Sequence, residues 1–206
     1  MPEFQYQLIP YEINSKHKLL IPDPAEVKAV HDQSAQSDGE VEFPYWTRIW
    51  PSAKGMAEYL LEEPHLIQNK RVVELGAGLG LPSFSVAHLA KSVVISDASR
   101  GAVQLLDINI QSIGWLHASA LQIDWNNHHL PIPETDMLLL SDVCYDPSQY
   151  GRLLQLVEMY KNLGAGVRIT APQRISTGTF HELLSHLIVK TFLKKIGETQ
   201  IAFFVL

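Results

Sequence analysis

Glu74-Leu75-Gly76-Ala77-Gly78-Leu79-Gly80 closes a short apolar run, Arg71 to Leu75, and leads straight into Leu81-Pro82. An apolar run stopped by glycines reads as a buried strand, and a proline just past the last glycine suits the first turn of a helix. The stretch is thus a strand, a tight turn and a helix. Glycine at 76, 78 and 80 allows positive φ and lets a ligand come close to the backbone.

Outward from this turn, helical and extended patterns alternate. Pro82 to Ala90 reads as helix, Ser92 to Ser96 as strand ending at Asp97, and Ala102 to Ile113 as helix. Ala120 to Ile123 and Met137 to Leu140 read as strands, Gln149 to Tyr160 as helix, Gly166 to Ala171 as strand and Thr179 to Leu187 as helix. Ile188 to Leu206 holds two β-rich runs around Lys194 to Glu198, a closing antiparallel hairpin. The order predicts an α/β fold, a Rossmann-like sheet that is mostly parallel with a C-terminal antiparallel hairpin. Upstream, Phe43 to Ser52 is an aromatic cluster feeding a helix that Pro51 starts. Residues 1–45 are predicted to be an N-terminal extension, with Phe4 to Leu8 pairing with Lys16 to Ile21 and a polar loop over His31 to Glu42. Residues 46–206 form the main domain.

In such a sheet, ligands bind beyond the carboxyl ends of the strands where strand order reverses. Dinucleotides and S-adenosylmethionine both use a glycine-rich turn there. Two details favour the sulfonium donor. The third glycine of a dinucleotide fingerprint would fall at Leu81, and Glu74 would repel a pyrophosphate but attract the ammonium of a methionyl group. Asp97, about 20 residues beyond the glycines, can accept from both ribose hydroxyls of either ligand. Asp124-Trp125 follows the third strand, where an acid can accept from an adenine amine and an aromatic can pack on the base. Each feature has a plainer reading beside it: a packing turn for the glycines, an N-cap for Asp97, core packing for Trp125.

The fourth strand runs into Ser141-Asp142-Val143-Cys144-Tyr145-Asp146. Methyl transfer moves positive charge from sulfur to the attacking atom, so a carboxylate such as Asp142 beside an acceptor nitrogen would stabilise the developing ammonium. Tyr145 can position the amine and exclude water. The same carboxylate also favours a protonated, unreactive amine, and the sequence shows no route for the proton. The plainer reading of Asp142 to Tyr145 is a capped turn before the next helix.

The formal net charge of −6 over 206 residues argues against phosphate backbones and anionic lipid as partners. The one cysteine, Cys144, excludes an intramolecular disulfide and a cysteine zinc cluster, and reads as a small packed residue. His128-His129 and His181/His186 lack metal-ligand spacing, so no metal is expected. A cytoplasmic monomer is the expectation, since no apolar run approaches the roughly 20 residues of a membrane span.

Taken together, Ile49-Trp50-Pro51-Ser52-Ala53, Val72 to Gly80, Ser96-Asp97, Asn109, Asp124-Trp125 and Asp142-Val143-Cys144-Tyr145 resemble the seven-strand methyltransferases of the lysine-methyltransferase group. That group includes the electron-transfer-flavoprotein β-subunit lysine methyltransferase and nicotinamide N-methyltransferase-like relatives. The match runs from about Trp46 to Arg174. The resemblance implies a seven-strand methyltransferase sheet, S-adenosylmethionine as cofactor and a protein bearing a target lysine as acceptor. It puts Trp50 beside the donor and Asp142 and Tyr145 beside the target amine. The expected site is therefore Trp50, Glu74, Gly76, Gly78, Gly80, Asp97, Asp124 and Trp125 for the donor, with Asp142 and Tyr145 catalytic. A small-molecule N-methyltransferase, a non-catalytic binding protein of this fold and a nicotinamide-dependent oxidoreductase are the alternatives.

Overall fold

The computed structural model describes residues 6–15, 17–38, 42–127 and 133–206. Two antiparallel strands, β1 (Leu8–Glu12) and β2 (Lys18–Pro22), form a separate small sheet in the register Leu8 to Pro22 and Glu12 to Lys18. The first strand therefore lies later than the expected Phe4 to Leu8; Phe4 and Lys16 fall outside the described residues. Turn chemistry sets this register: His17 N–H donates to Asn14 Oδ1 at 2.9 Å and Ile13 N–H to His17 O at 3.1 Å.

Helix α1 (Pro24–Asp38) replaces most of the loop expected from His31 onward; residues 39–41 lie outside the described residues. Asp23 caps it, accepting from Ala25 N–H at 2.9 Å. Val27 is buried, whereas most of its other described side chains face solvent, so no apolar stripe marks it in the sequence. Its alanines, glutamines and lysine are adequate helix formers, and with the cap they sustain a helix that hydrophobic periodicity cannot reveal.

The remaining elements are α2 (Pro51–Glu62), β3 (Arg71–Leu75), α3 (Leu81–Val86), β4 (Ser92–Asp97), α4 (Arg100–Ile113), β5 (Ala118–Gln122), β6 (Met137–Ser141), α5 (Tyr150–Asn162), β7 (Gly166–Pro172), α6 (Ile175–Leu184), β8 (Lys190–Ile196) and β9 (Thr199–Val205). The seven strands from β3 onward form one sheet in the order β5-β4-β3-β6-β7-β9-β8. Pairs from β5 to β7 are parallel, and β9 runs antiparallel to both β7 and β8. This is the expected α/β methyltransferase-type sheet with its closing antiparallel hairpin.

Two-residue alternation divides the central strands between two cores. Val72, Val93, Ile95, Met137 and Leu139 face α2, α3 and α4, packing with Met56, Leu60, Phe84 and Leu106. Val73, Leu75, Leu138 and Leu140 face α5 and α6, packing with Leu153, Val157, Phe180 and Leu184. Burial on both faces explains why β6 reads as an unbroken apolar run. Strand order reverses between β3 and β6, so a crevice opens at their carboxyl ends.

The hairpin is joined to this frame by Leu19 and Ile21, buried in the core beside α4, and by one buried polar side chain. Asn109 of α4 accepts from Leu20 N–H at 2.7 Å and donates to Leu20 O at 2.9 Å, pairing with β2 as a neighbouring strand would. Both backbone groups lose their partner if the amide is removed. Asn109→Ala is expected to lower unfolding free energy by ~1–3 kcal/mol, read as a lower urea midpoint at unchanged slope. An unaltered midpoint would mean that the hairpin is held by other contacts.

Candidate functional site

The turn after β3 takes its shape from backbone that only glycine adopts readily. Gly78 has φ 54°, and its N–H donates to Asp97 Oδ2 at 2.8 Å, fastening the turn to the end of β4. A Cβ on Gly78 would lie 3.2 Å from the Trp46 carbonyl oxygen, because the aromatic segment 43–50 passes over the turn. The other Asp97 oxygen accepts from Ser99 N–H at 2.9 Å, and Ser99 itself, not Asp97, is the N-cap of α4. Each Asp97 oxygen keeps lone-pair capacity for a further donor. Burial pushes its carboxyl above the usual range, while the N–H groups of Ser99 and Gly78 pull it back.

A cavity of about 790 Å³ opens at this point, bordered by Trp50, Gly76, Gly78, Asp97, Asp124, Trp125, Asp142 and Tyr145. Eight of the ten residues expected from the sequence thus meet at one site. Glu74 and Gly80 do not border it. Glu74 is fully buried beneath the start of α3 and accepts from Ser83 N–H at 3.0 Å through Oε2. Two-residue alternation explains this: Glu74 shares the face of Val72, whose neighbours are α2 and α3. Gly80 is a packing position, where a Cβ would lie 2.8 Å from Leu106 and 3.0 Å from Ile95. Both were expected to touch a donor; neither borders the cavity.

Asp124 is exposed and accepts from Asn126 N–H at 2.9 Å. The Trp125 ring belongs to the core under β3 and also borders the cavity beside Gly76. Its Nε1–H donates to Gln149 Oε1 at 3.0 Å, and Gln149 Nε2 donates to Asp146 Oδ2 at 2.9 Å. The indole is therefore held at a set angle. Trp50 stands just before α2, and its Nε1–H donates to Tyr45 O at 3.1 Å.

Asp142 follows β6 with φ 59°, a left-handed conformation uncommon outside glycine and typical of strained functional positions. Its N–H donates to Thr170 O at 2.8 Å, and Oδ1 accepts from Arg174, which lies just past β7. Burial raises its carboxyl, opposed by Arg174 and by Ser52 at the start of α2. Tyr145 is 60% exposed at the rim. Its hydroxyl is pushed up by burial and then by Asp97, Asp146, Glu42 and Asp142. Cys144 is fully buried and burial pushes its thiol up, which suits packing rather than reactivity.

Sequence reasoning missed Glu42, Arg48, Gln149 and Arg174, all of which border the cavity. None carries a local signal, because the segment before α2 and the loops after β6 and β7 bring them together from distant parts of the chain. Four carboxylates (Glu42, Asp97, Asp124, Asp142) against two guanidiniums (Arg48, Arg174) make the cavity suited to a cationic ligand. Among the described residues no cluster of three or more His, Cys, Asp or Glu could hold a metal; His128 and His129 lie outside them. Among the described residues no helix is long and apolar enough to cross a membrane.

A family model described as lysine methyltransferase matches residues 39–197. The chain is 32% identical over 129 residues to the protein N-terminal and lysine N-methyltransferase EFM7 of Cryptococcus neoformans, covering 56% of this chain and 43% of that protein. It is 27% identical over 121 residues to the histone-arginine methyltransferase METTL23 of Homo sapiens, covering 55% of this chain and 64% of that protein. The chain thus spans less than two thirds of the length of these relatives. The crystal structure of a SAM dependent methyltransferase from Aquifex aeolicus shares the fold, with TM-score 0.57 and 16% identity over 89% of this chain and 97% of that one.

Glu74 yields a pH prediction. Burial, opposed by Ser83, pushes its carboxyl up to about 7 from 4.5. The folded state then binds more protons than the unfolded state between those values, so stability falls as pH rises through that window. Glu74→Gln, which keeps an acceptor for Ser83 N–H, should flatten this decline, a difference of up to about 3 kcal/mol by pH ~8. Parallel stability-versus-pH curves for the two proteins would show that Glu74 is not the titrating group.

Proposed function

This chain belongs to the lysine methyltransferase family, and we propose that it is an S-adenosylmethionine-dependent N-methyltransferase acting on lysine amino groups of a protein. The observation that carries the reading is that one cavity takes in both the glycine turn with Asp97 and, at the next strand across the sheet reversal, Asp142 with Tyr145. Donor and acceptor groups must meet for direct transfer, and here the two sets share one space.

The residues fit the donor. Gly76 and Gly78 present bare backbone, Asp97 keeps acceptor capacity for ribose hydroxyls, and exposed Asp124 beside the Trp125 ring suits an adenine amine and base. Trp50 closes the side of the cavity nearest α2. Glu74 contributes from beneath by holding the first turn of α3, and Gly80 by letting the turn pack against α4. When bound, the donor supplies a methyl group on positively charged sulfur. Asp142 then orients an acceptor N–H and offsets the charge that develops on its nitrogen, while Tyr145 at the rim screens the path from water.

The relative EFM7 is named for N-terminal and lysine transfer, which supports an amine acceptor. A second reading, an arginine acceptor, has its own support: METTL23 is named for histone arginine, and Asp142 already pairs with a guanidinium here. The proposal also has the chain acting as a cytoplasmic monomer, without nucleic acid or membrane as partner, in keeping with its net charge of −6.

Incubation of host lysate with methyl-labelled donor, followed by mass spectrometry, tests the function. Label on protein lysine, lost with Asp142→Ala, is the expected result. Label on arginine would establish the second reading, label on small amines would replace the protein acceptor, and none with any lysate would leave a binding protein. Asp97→Ala should weaken donor binding by ~1–3 kcal/mol in calorimetry. Wild-type affinity in that variant would remove Asp97 from the donor site.

A further inference from the structure

The ion pair between Arg174 and Asp142 adds something to the acceptor side that neither residue would do alone. Arg174 sits where β7 gives way to α6, in extended backbone, and β7 lies directly beside β6 in the sheet. The end of β6 carries Asp142, so the parallel pairing of Ser141 with Thr170 and the Asp142 N–H to Thr170 O bond set the two side chains face to face. The Asp142 side chain is only 9% exposed, whereas that of Arg174 is 42% exposed and reaches in from the cavity wall. A carboxylate this buried, with no cation beside it, would draw in an ammonium and hold it protonated. Attack on a methyl group needs the neutral amine, because the nitrogen lone pair must form the new bond.

We propose that Arg174 is the positioning residue of the acceptor site: its guanidinium holds one oxygen of Asp142 and balances its charge, so that a lysine side chain can shed its proton to water and enter as the free amine. This rests on the acceptor reading of Asp142 given above. The ammonium loses H⁺ to solvent, the nitrogen lone pair forms the N–C bond, and the C–S bond breaks with its electron pair going to sulfur. The positive charge now on nitrogen lies against Asp142, which keeps lone pairs for the N–H. Arg174 touches Asp142 and not the reacting atoms.

The groups that face this pair are few among the described residues. On Asp142's own loop they are Cys144 and Tyr145; from α2 comes the Ser52 hydroxyl; from beyond β7 comes Arg174 itself. Tyr145 in turn faces Asp97, Asp146 and Glu42. Arg174 is therefore the one described cation acting on Asp142, and its removal should shift the titration of that carboxyl upward.

The test compares wild type with Arg174→Gln and Arg174→Lys. Carbon-13 NMR of aspartate-labelled protein, with Asp142 assigned by its absence in Asp142→Asn, should show its carboxyl titrating higher in Arg174→Gln and near wild type in Arg174→Lys. Labelled methyl transfer to lysate protein should fall about tenfold at neutral pH in Arg174→Gln and recover toward alkaline pH, with Arg174→Lys close to wild type throughout. Donor affinity should not change. A rate loss equal at every pH, or an unmoved Asp142 titration, overturns the proposal. So does a donor affinity lowered about tenfold, which would make Arg174 a donor ligand, or a rate raised at every pH, which would make it a plug in the acceptor's place. Unchanged transfer in Asp142→Asn, or none in wild type, would instead bring down the acceptor reading, and this inference with it.

Discussion

The contact on which the site depends is the Asp97 carboxylate accepting the Gly78 N–H at 2.8 Å. It joins the carboxyl end of β4 to the turn that leaves β3, the two strands on one side of the sheet's reversal of order. Without it the glycine turn would carry an unpaired N–H at the edge of a cavity and would keep only its backbone bonds, Ala77 N–H to Ser96 O and Gly80 N–H to Ala77 O, to hold its left-handed residues. With it, Gly76 and Gly78 present bare backbone to the crevice and α3 starts where Glu74 can accept its Ser83 N–H. The same carboxylate keeps capacity to spare, so one side chain both builds the turn and faces the proposed donor.

Across the reversal, the end of β6 is organised by a comparable constraint. Asp142 is held in left-handed backbone by its N–H to Thr170, and β7 delivers Arg174 to its side. The cavity therefore has a cradle of glycine, aspartate and tryptophan on one wall and a charge-balanced pair on the other. Its acidic excess suits a cationic ligand, and Trp46 of the aromatic segment 43–50 lies over the turn.

The N-terminal hairpin is linked to this arrangement by Asn109, buried on the same helix whose Leu106 packs against Gly80. Trp46 lies between the turn and the start of α4, where its ring would meet a Cβ on Gly101. Hairpin, aromatic segment 43–50 and glycine turn are thus packed around one helix.

The run from Glu74 to Pro82 announced the strand, turn and helix, because apolar burial and positive φ each restrict residue type strongly. The alternation of later segments likewise announced a mostly parallel sheet with a closing hairpin, and Asp97, Asp124 and Asp142 could be placed at strand ends from spacing. Helix α1 was not legible, since a polar, capped helix leaves no apolar period. Which way a strand-end side chain points was not legible either. Glu74 read as a ligand-facing acid, yet the pleat turns it into the core, and Gly80, in the same motif, serves packing against Leu106. Arg174 had no signal at all, for its partner lies 32 residues away and only the lateral pairing of β6 with β7 brings the two charges together. Sequence by itself determined what depends on neighbours along the chain: element type, turn geometry and the positions of acids at strand ends. Tertiary structure alone decided facing and charge pairing, because those depend on strands that are adjacent in space and distant in sequence.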